Sequence, residues 1–182
     1  MSDLHCPARL LVARHAQAEY ETGAFSDADD SLTLDGRAHA GAMAARLRDR
    51  NIALIYCSDM VCAVQTAEIA AATLGVAVRV RRGLGDLSVG DVDDADPNHE
   101  PAARLSAELT SIADQHRGEC VLVVGHSLAL CATLPRMAFN IADDFGLTHP
   151  LGSCDVVELA ADADGWRVET WSGHPVEVGS PR

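Results

Sequence analysis

Arg14-His15 stands at the end of an apolar run, Ala8-Arg9-Leu10-Leu11-Val12-Ala13, and His126-Ser127 stands at the end of another, Val121-Leu122-Val123-Val124-Gly125. Buried strands of this kind deliver their next side chains to the carboxyl edge of a sheet, where open α/β folds bind ligands. A neutral imidazole nitrogen is a competent nucleophile near pH 7, and a guanidinium fork matches the oxygens of a phosphoryl group. Two histidines and an arginine at strand ends therefore point to phosphate chemistry. Two further apolar runs also end at polar residues: Ser58-Asp59, and Arg82 with Asp86 just beyond. Plainer readings stand beside these. Gly125-His126-Ser127 also reads as a capping turn, and Asp86, near Asp91, Asp93, Asp94 and Asp96, as part of a solvated acidic loop. Arg79, Arg81 and Arg82 also read as solvent-facing charges.

The pattern between these residues alternates strands with helices. After the first strand, Gln17 to Ser31 reads as a polar loop. Thr33 is placed to cap a helix from about Leu34 to Arg50. Ile52–Cys57 reads as a strand, and Ser58 or Asp59 as the cap of a helix from Met60 to Leu74 that Gly75 ends. Val76–Arg81 reads as a strand, Gly83–Asn98 as a loop, and about Pro101 to His116 as a helix. A helix from Ser127 is expected to break near Pro135, and Asn140–Gly152 to be irregular. Cys154–Ala160 and Trp166–Trp171 alternate around Asp164-Gly165, as in a hairpin. The expected architecture is an α/β/α sandwich with a mainly parallel sheet and an antiparallel edge. Residues 1–182 are expected to form one domain, with a core over about 8–173 and a loose tail from His174 to Arg182.

Composition limits the partners. The net charge is -13, which argues against nucleic acid or an anionic membrane, since both need a basic face. A small phosphorylated substrate or a phosphoprotein must then be drawn in by a local positive pocket. No apolar run is long enough to span a bilayer, and Met1–Pro7 does not read as a signal peptide. The six cysteines form no C-x-x-C pair. They read as reduced core residues of a cytoplasmic protein, and no zinc template fits the Cys and His spacings. No metal and no cofactor is expected. The oligomeric state is not written in the chain.

Five segments in order resemble the histidine phosphatase superfamily (phosphoglycerate mutase-like) over about residues 8 to 135. Arg14-His15-Ala16 resembles its Arg-His-Gly signature, and Leu32-Thr33-Leu34-Asp35-Gly36 its Leu-Thr-x-x-Gly helix start. Cys57-Ser58 with Gln65-Thr66-Ala67 is similar to its Ser-Ser and Gln-Thr-Ala segment, Leu84-Gly85-Asp86 to its acid loop, and Val121–His126 to its second histidine strand. The resemblance implies that His15 is the nucleophile, carried as a phosphohistidine. It implies that Arg14 clamps the phosphoryl oxygens, that His126 hydrogen-bonds them in the transition state, and that Asp86 protonates the leaving oxygen and then activates water.

Three positions depart from that pattern. Cys62 stands where the family has a second arginine, Asp86 replaces a glutamate, and Glu21 aligns with an asparagine. Loss of one charged donor from such a pocket costs on the order of 10² to 10³ in rate. Arg82, or Arg81, leaves the third strand at the same edge and is a candidate to bind phosphate in its place. Cys62 itself reads as a packing cysteine or as a reactive thiol near a helix start. The chain is thus expected to be a metal-independent phosphatase acting on a phosphomonoester. The alternative is a non-catalytic phosphate-binding or protein-interaction member of the same fold.

Overall fold

The computed structural model of the protein describes residues 6–23, 30–86 and 100–176. Expectations for residues 87–99, including the acidic loop, fall outside them. Seven strands form one sheet in the order β3-β2-β4-β1-β5-β6-β7. They are β1 (Ala8–Arg14), β2 (Ile52–Cys57), β3 (Val78–Val80), β4 (Cys120–Gly125), β5 (Val156–Asp162), β6 (Gly165–Trp171) and β7 (His174–Pro175). The β3-β2-β4-β1 half is parallel, and β5, β6 and β7 add an antiparallel edge.

Side-chain alternation splits each central strand between two cores. Leu10, Val12, Tyr56, Val121 and Val123 face α3 (Glu100–Gln115) and α4 (Ser127–Met137), which bring Leu105, Leu109, Ile112, Leu130 and Leu134. Leu11, Ala13, Ile55, Leu122 and Val124 face α1 (Leu34–Arg46) and α2 (Val61–Leu74). The α1 and α2 contributions there are mostly small, Ala40, Ala44, Ala63, Ala67 and Ala70, which lets the helices lie close to the sheet. The result is the expected α/β/α sandwich.

Several boundaries differ from the sequence expectation. α1 stops at Arg46, and a 3₁₀ turn (Arg48–Arg50) ends at Asn51 in the left-handed region, φ 51°. α2 has Met60 at its N-cap with no side-chain cap; Ser58 sits just before it, where its Oγ accepts from Met60 N–H at 3.4 Å and meets a histidine described below. β3 is shorter than Val76–Arg81, since as an edge strand it pairs only with Ile55–Cys57. α4 is not broken at Pro135. The proline leaves the Cys131 carbonyl without its helical donor, and α5 (Phe145–Thr148) packs against that carbonyl through Gly146. Residues 140–152 are therefore not wholly irregular. The tail begins as structure, with His174 and Pro175 pairing with Trp171 and Thr170. No helix among the described residues is long and apolar enough to cross a membrane.

Candidate active site

Strand register places the two histidines side by side. Arg14 pairs with Gly125, and the ladder runs one residue further as His15 N–H donates to Gly125 O at 2.9 Å. On the other side of β4, Ser58 N–H donates to Val124 O at 3.2 Å. His15, His126 and Ser58 thus leave adjacent strands at one edge, and the two imidazole centroids lie 5.1 Å apart. Both rings are buried, His15 at 2 % and His126 at 1 % exposure.

The hydrogen bonds fix the tautomer of His15. Its Nδ1 lies 2.8 Å from Ala16 O, and a carbonyl only accepts, so Nδ1 carries the proton and Nε2 the lone pair. The Tyr20 hydroxyl, 3.2 Å away, donates to that Nε2. Burial raises the Tyr20 pKa, with the Cys62 and Glu21 charges adding to it, so the phenol stays a donor. Thr66 steadies the turn: Ala16 N–H donates to its hydroxyl at 3.0 Å, and the hydroxyl donates to Cys62 O at 2.7 Å.

His126 Nε2 lies 2.7 Å from Ser58 Oγ. Its Nδ1 is buried with no hydrogen-bond partner among the described residues, an arrangement that is costly unless a ligand completes it. Burial, then the neighbouring His15, lowers the His126 pKa to about 4. Burial also lowers that of His15, against the raising effect of its bond to Ala16. Both rings are therefore neutral near pH 7.

Arg14 donates from Nη1 to Leu151 O at 3.0 Å and pairs through Nη2 with Glu21. Its Nε is buried and has no partner among the described residues. Glu21 lies in a 3₁₀ turn (Glu19–Thr22) whose start it closes by accepting from Ala18 N–H at 2.8 Å. The carboxylate thus points at the Arg14 guanidinium. Asp86 lies within electrostatic reach of His15 and His126, raising the pKa of each, and its Oδ1 accepts from Ala129 N–H at 3.3 Å. Cys62 is fully buried, and burial holds its thiol up at about 11.

Arg14, His15, His126 and Asp86 are brought together. Arg82 has another partner: its side chain is 92 % exposed, with Nε 3.5 Å from Asp59. Past β3 the chain turns into a 3₁₀ turn (Arg82–Leu84) that sends this side chain to solvent. Arg81 lies over the Tyr56 ring and pairs with Glu108 at 3.6 Å. Neither guanidinium hydrogen-bonds to His15 or His126. Tyr20 was not anticipated, because it lies in a polar stretch without periodicity. Ser58 and Thr66 carried only a motif signal, with no role attached.

A pair of neutral, buried imidazoles beside an arginine, on a parallel sheet edge, has the donors and the nucleophile that phosphoryl chemistry requires. The model of the histidine phosphatase superfamily (branch 1) matches residues 10–103 and 96–173, and the chain belongs to this family. Solved structures share the fold. A mycobacterial glucosyl-3-phosphoglycerate phosphatase in complex with VO3 is 24% identical, with TM-score 0.69, over 90% of this chain and 98% of that one. A phosphoglycerate mutase from Bacillus anthracis is 19% identical, with TM-score 0.73, over 93% of this chain and 95% of that one. An alpha-ribazole phosphatase from Shigella flexneri is 16% identical, with TM-score 0.72, over 94% of this chain and 100% of that one. Among curated proteins, none matches the chain.

Proposed function

We propose that the protein hydrolyses a phosphomonoester, without a metal, through a phosphohistidine on His15. The observation that carries this reading is the fixed tautomer: Nδ1–H is committed to Ala16 O at 2.8 Å, which leaves the Nε2 lone pair for attack. Substrate displaces the Tyr20 hydroxyl, and Nε2 attacks phosphorus as the bond to the ester oxygen breaks. Asp86 gives that oxygen a proton. Water then attacks phosphorus, the P–N bond breaks back to His15, and Asp86 takes the water's proton. Arg14 Nε and His126 Nδ1, both unpartnered, supply donors to the phosphoryl oxygens. Arg82 would reach substrate only by leaving Asp59. These groups neutralise charge that a metal otherwise would, so turnover should survive exhaustive chelation.

Hydrolysis is favoured over phosphoryl relocation because only 14 residues separate Asp86 from Pro101, too few for a long cover against water. The charge of -13 argues against nucleic acid or an anionic membrane as partner; the proposed partner is a small phosphorylated substrate or a phosphoprotein, met in the cytoplasm and drawn in by the local Arg14 pocket. The names of the structural relatives, two phosphatases and a mutase, agree with phosphate ester chemistry. A second reading, phosphate binding without turnover, is favoured by the neutral Cys62 and by the Glu21 carboxylate on Arg14. Turnover on an aryl phosphate panel decides between them. The proposal expects activity that falls at least about 10³-fold in His15→Ala. Phosphate binding with no turnover would instead establish the second reading.

A further inference from the structure

Cys62, the second residue of α2, has no part in the hydrolysis above. Yet it reaches the histidine pair: His15, Cys62 and His126, all buried, each bring one ligand-type atom within 4.8 Å of the others. Each imidazole also has a partner for one ring nitrogen, Ala16 O for His15 Nδ1 and Ser58 Oγ for His126 Nε2. Histidines that ligate metals characteristically donate their second N–H in this way. Ser58 Oγ can accept from His126 Nε2–H or donate to Nε2; in the first tautomer Nδ1, unpartnered among the described residues, offers its lone pair to an ion, and in the second it is the donor to phosphate. Two imidazoles and one thiol are a borderline-soft donor set, and three ligands leave a fourth position open.

We propose that His15, Cys62 and His126 form a binding site for one zinc-class divalent ion. Tetrahedral zinc holds such atoms about 3.3–3.6 Å apart, so side-chain rotations of about 1 Å complete the site from the spacing present. On binding, the Cys62 thiol releases its proton to solvent and the sulfur bonds the ion; nothing is oxidised or reduced. The Tyr20 hydroxyl gives up His15 Nε2. If the proposed function holds, the ion occupies the nucleophile's electron pair, and zinc becomes a reversible inhibitor of an enzyme that needs no metal.

The test uses metal-stripped full-length protein carrying Cys6→Ser, which removes the exposed thiol. One equivalent of cobalt(II) should produce a thiolate-to-cobalt charge-transfer band that one equivalent of zinc abolishes. The band should be missing in Cys62→Ala and in Cys62→Ser, whose folding is checked by circular dichroism. Competition with a chromophoric chelator should show zinc binding at least about 100-fold weaker in these variants. Absence of the band in the parent protein, or equal zinc affinity with and without Cys62, overturns the site and leaves the phosphatase reading intact. A band in a protein with no phosphatase activity supports the site and removes the phosphatase reading instead. A zinc-loaded enzyme that turns over at full rate overturns ligation by His15.

Discussion

Glu21 holds Arg14, the arginine proposed to clamp phosphate. Its carboxylate pairs with Arg14 Nη2 and also closes the turn at Ala18. In the proposed site, phosphate shares Arg14 with this negative charge. Glu21→Gln removes the charge and keeps one of the two accepting oxygens, so the amide oxygen stays on Ala18 N–H and the hold on Arg14 is lost. We expect inorganic phosphate to inhibit this variant about fivefold more tightly, near 1 kcal/mol; an unchanged or weaker inhibition constant would show that Glu21 swings away at no cost. At this scale the sequence was readable where chemistry is carried by residue type. Arg14 and His15 were found from an arginine-histidine step at a strand end. Tyr20 and the inward turn of Glu21 were not, because a 3₁₀ turn in a polar stretch leaves no periodic signal.

Helix starts and close approaches decide whether those residues stay in place. Thr33 accepts from Gly36 N–H at 2.9 Å, and its own N–H donates to Gln17 O at 3.0 Å, which ties α1 to the segment after His15. A Cβ at Gly36 would fall 2.2 Å from Gln17 O. Gly36→Ala should push that segment outward, costing about 1–3 kcal/mol of stability and lowering kcat/KM; thermal unfolding and aryl phosphate kinetics check both, and wild-type values in each would refute the packing argument. α2 offers a gain instead. Neither Arg81 nor Arg82 bonds to the histidine pair, so Cys62→Arg should raise kcat/KM at least about tenfold, roughly 1.4 kcal/mol of transition-state stabilisation. A flat or reduced value would mean the pocket has no room for the guanidinium. The parallel strands and both helical layers were legible from apolar runs and spacing. The uninterrupted α4 was not, because Gly146, 11 residues after Pro135, covers the carbonyl that the proline leaves open. That is a tertiary contact, invisible to local pattern.

Burying two neutral histidines links the stability of the whole fold to acid. His126 titrates near 4 in the folded protein, against an ordinary value of 6.5. Between those values the unfolded chain binds the extra proton, so stability rises with pH there. The contribution is fully present above pH 6.5 and is lost as pH falls toward 4. His126 alone should cost up to about 3 kcal/mol over that window, and His15 shifts in the same direction. Urea unfolding from pH 7 to pH 4.5 should show the loss, and His126→Gln should flatten it; an equal slope in the variant would assign the acid sensitivity elsewhere. The proposed reaction likewise draws on the whole sheet edge, with groups from the ends of β1 and β4 and from the turn after β3. Its defining step is a covalent bond at one atom, Nε2 of His15. Single-turnover reaction with an aryl phosphate, quenched at alkaline pH and mapped by mass spectrometry, should place phosphate on the peptide carrying His15 and leave it absent in His15→Ala. Turnover at full rate with no adduct on that peptide, or with the adduct on another residue, would contradict the account.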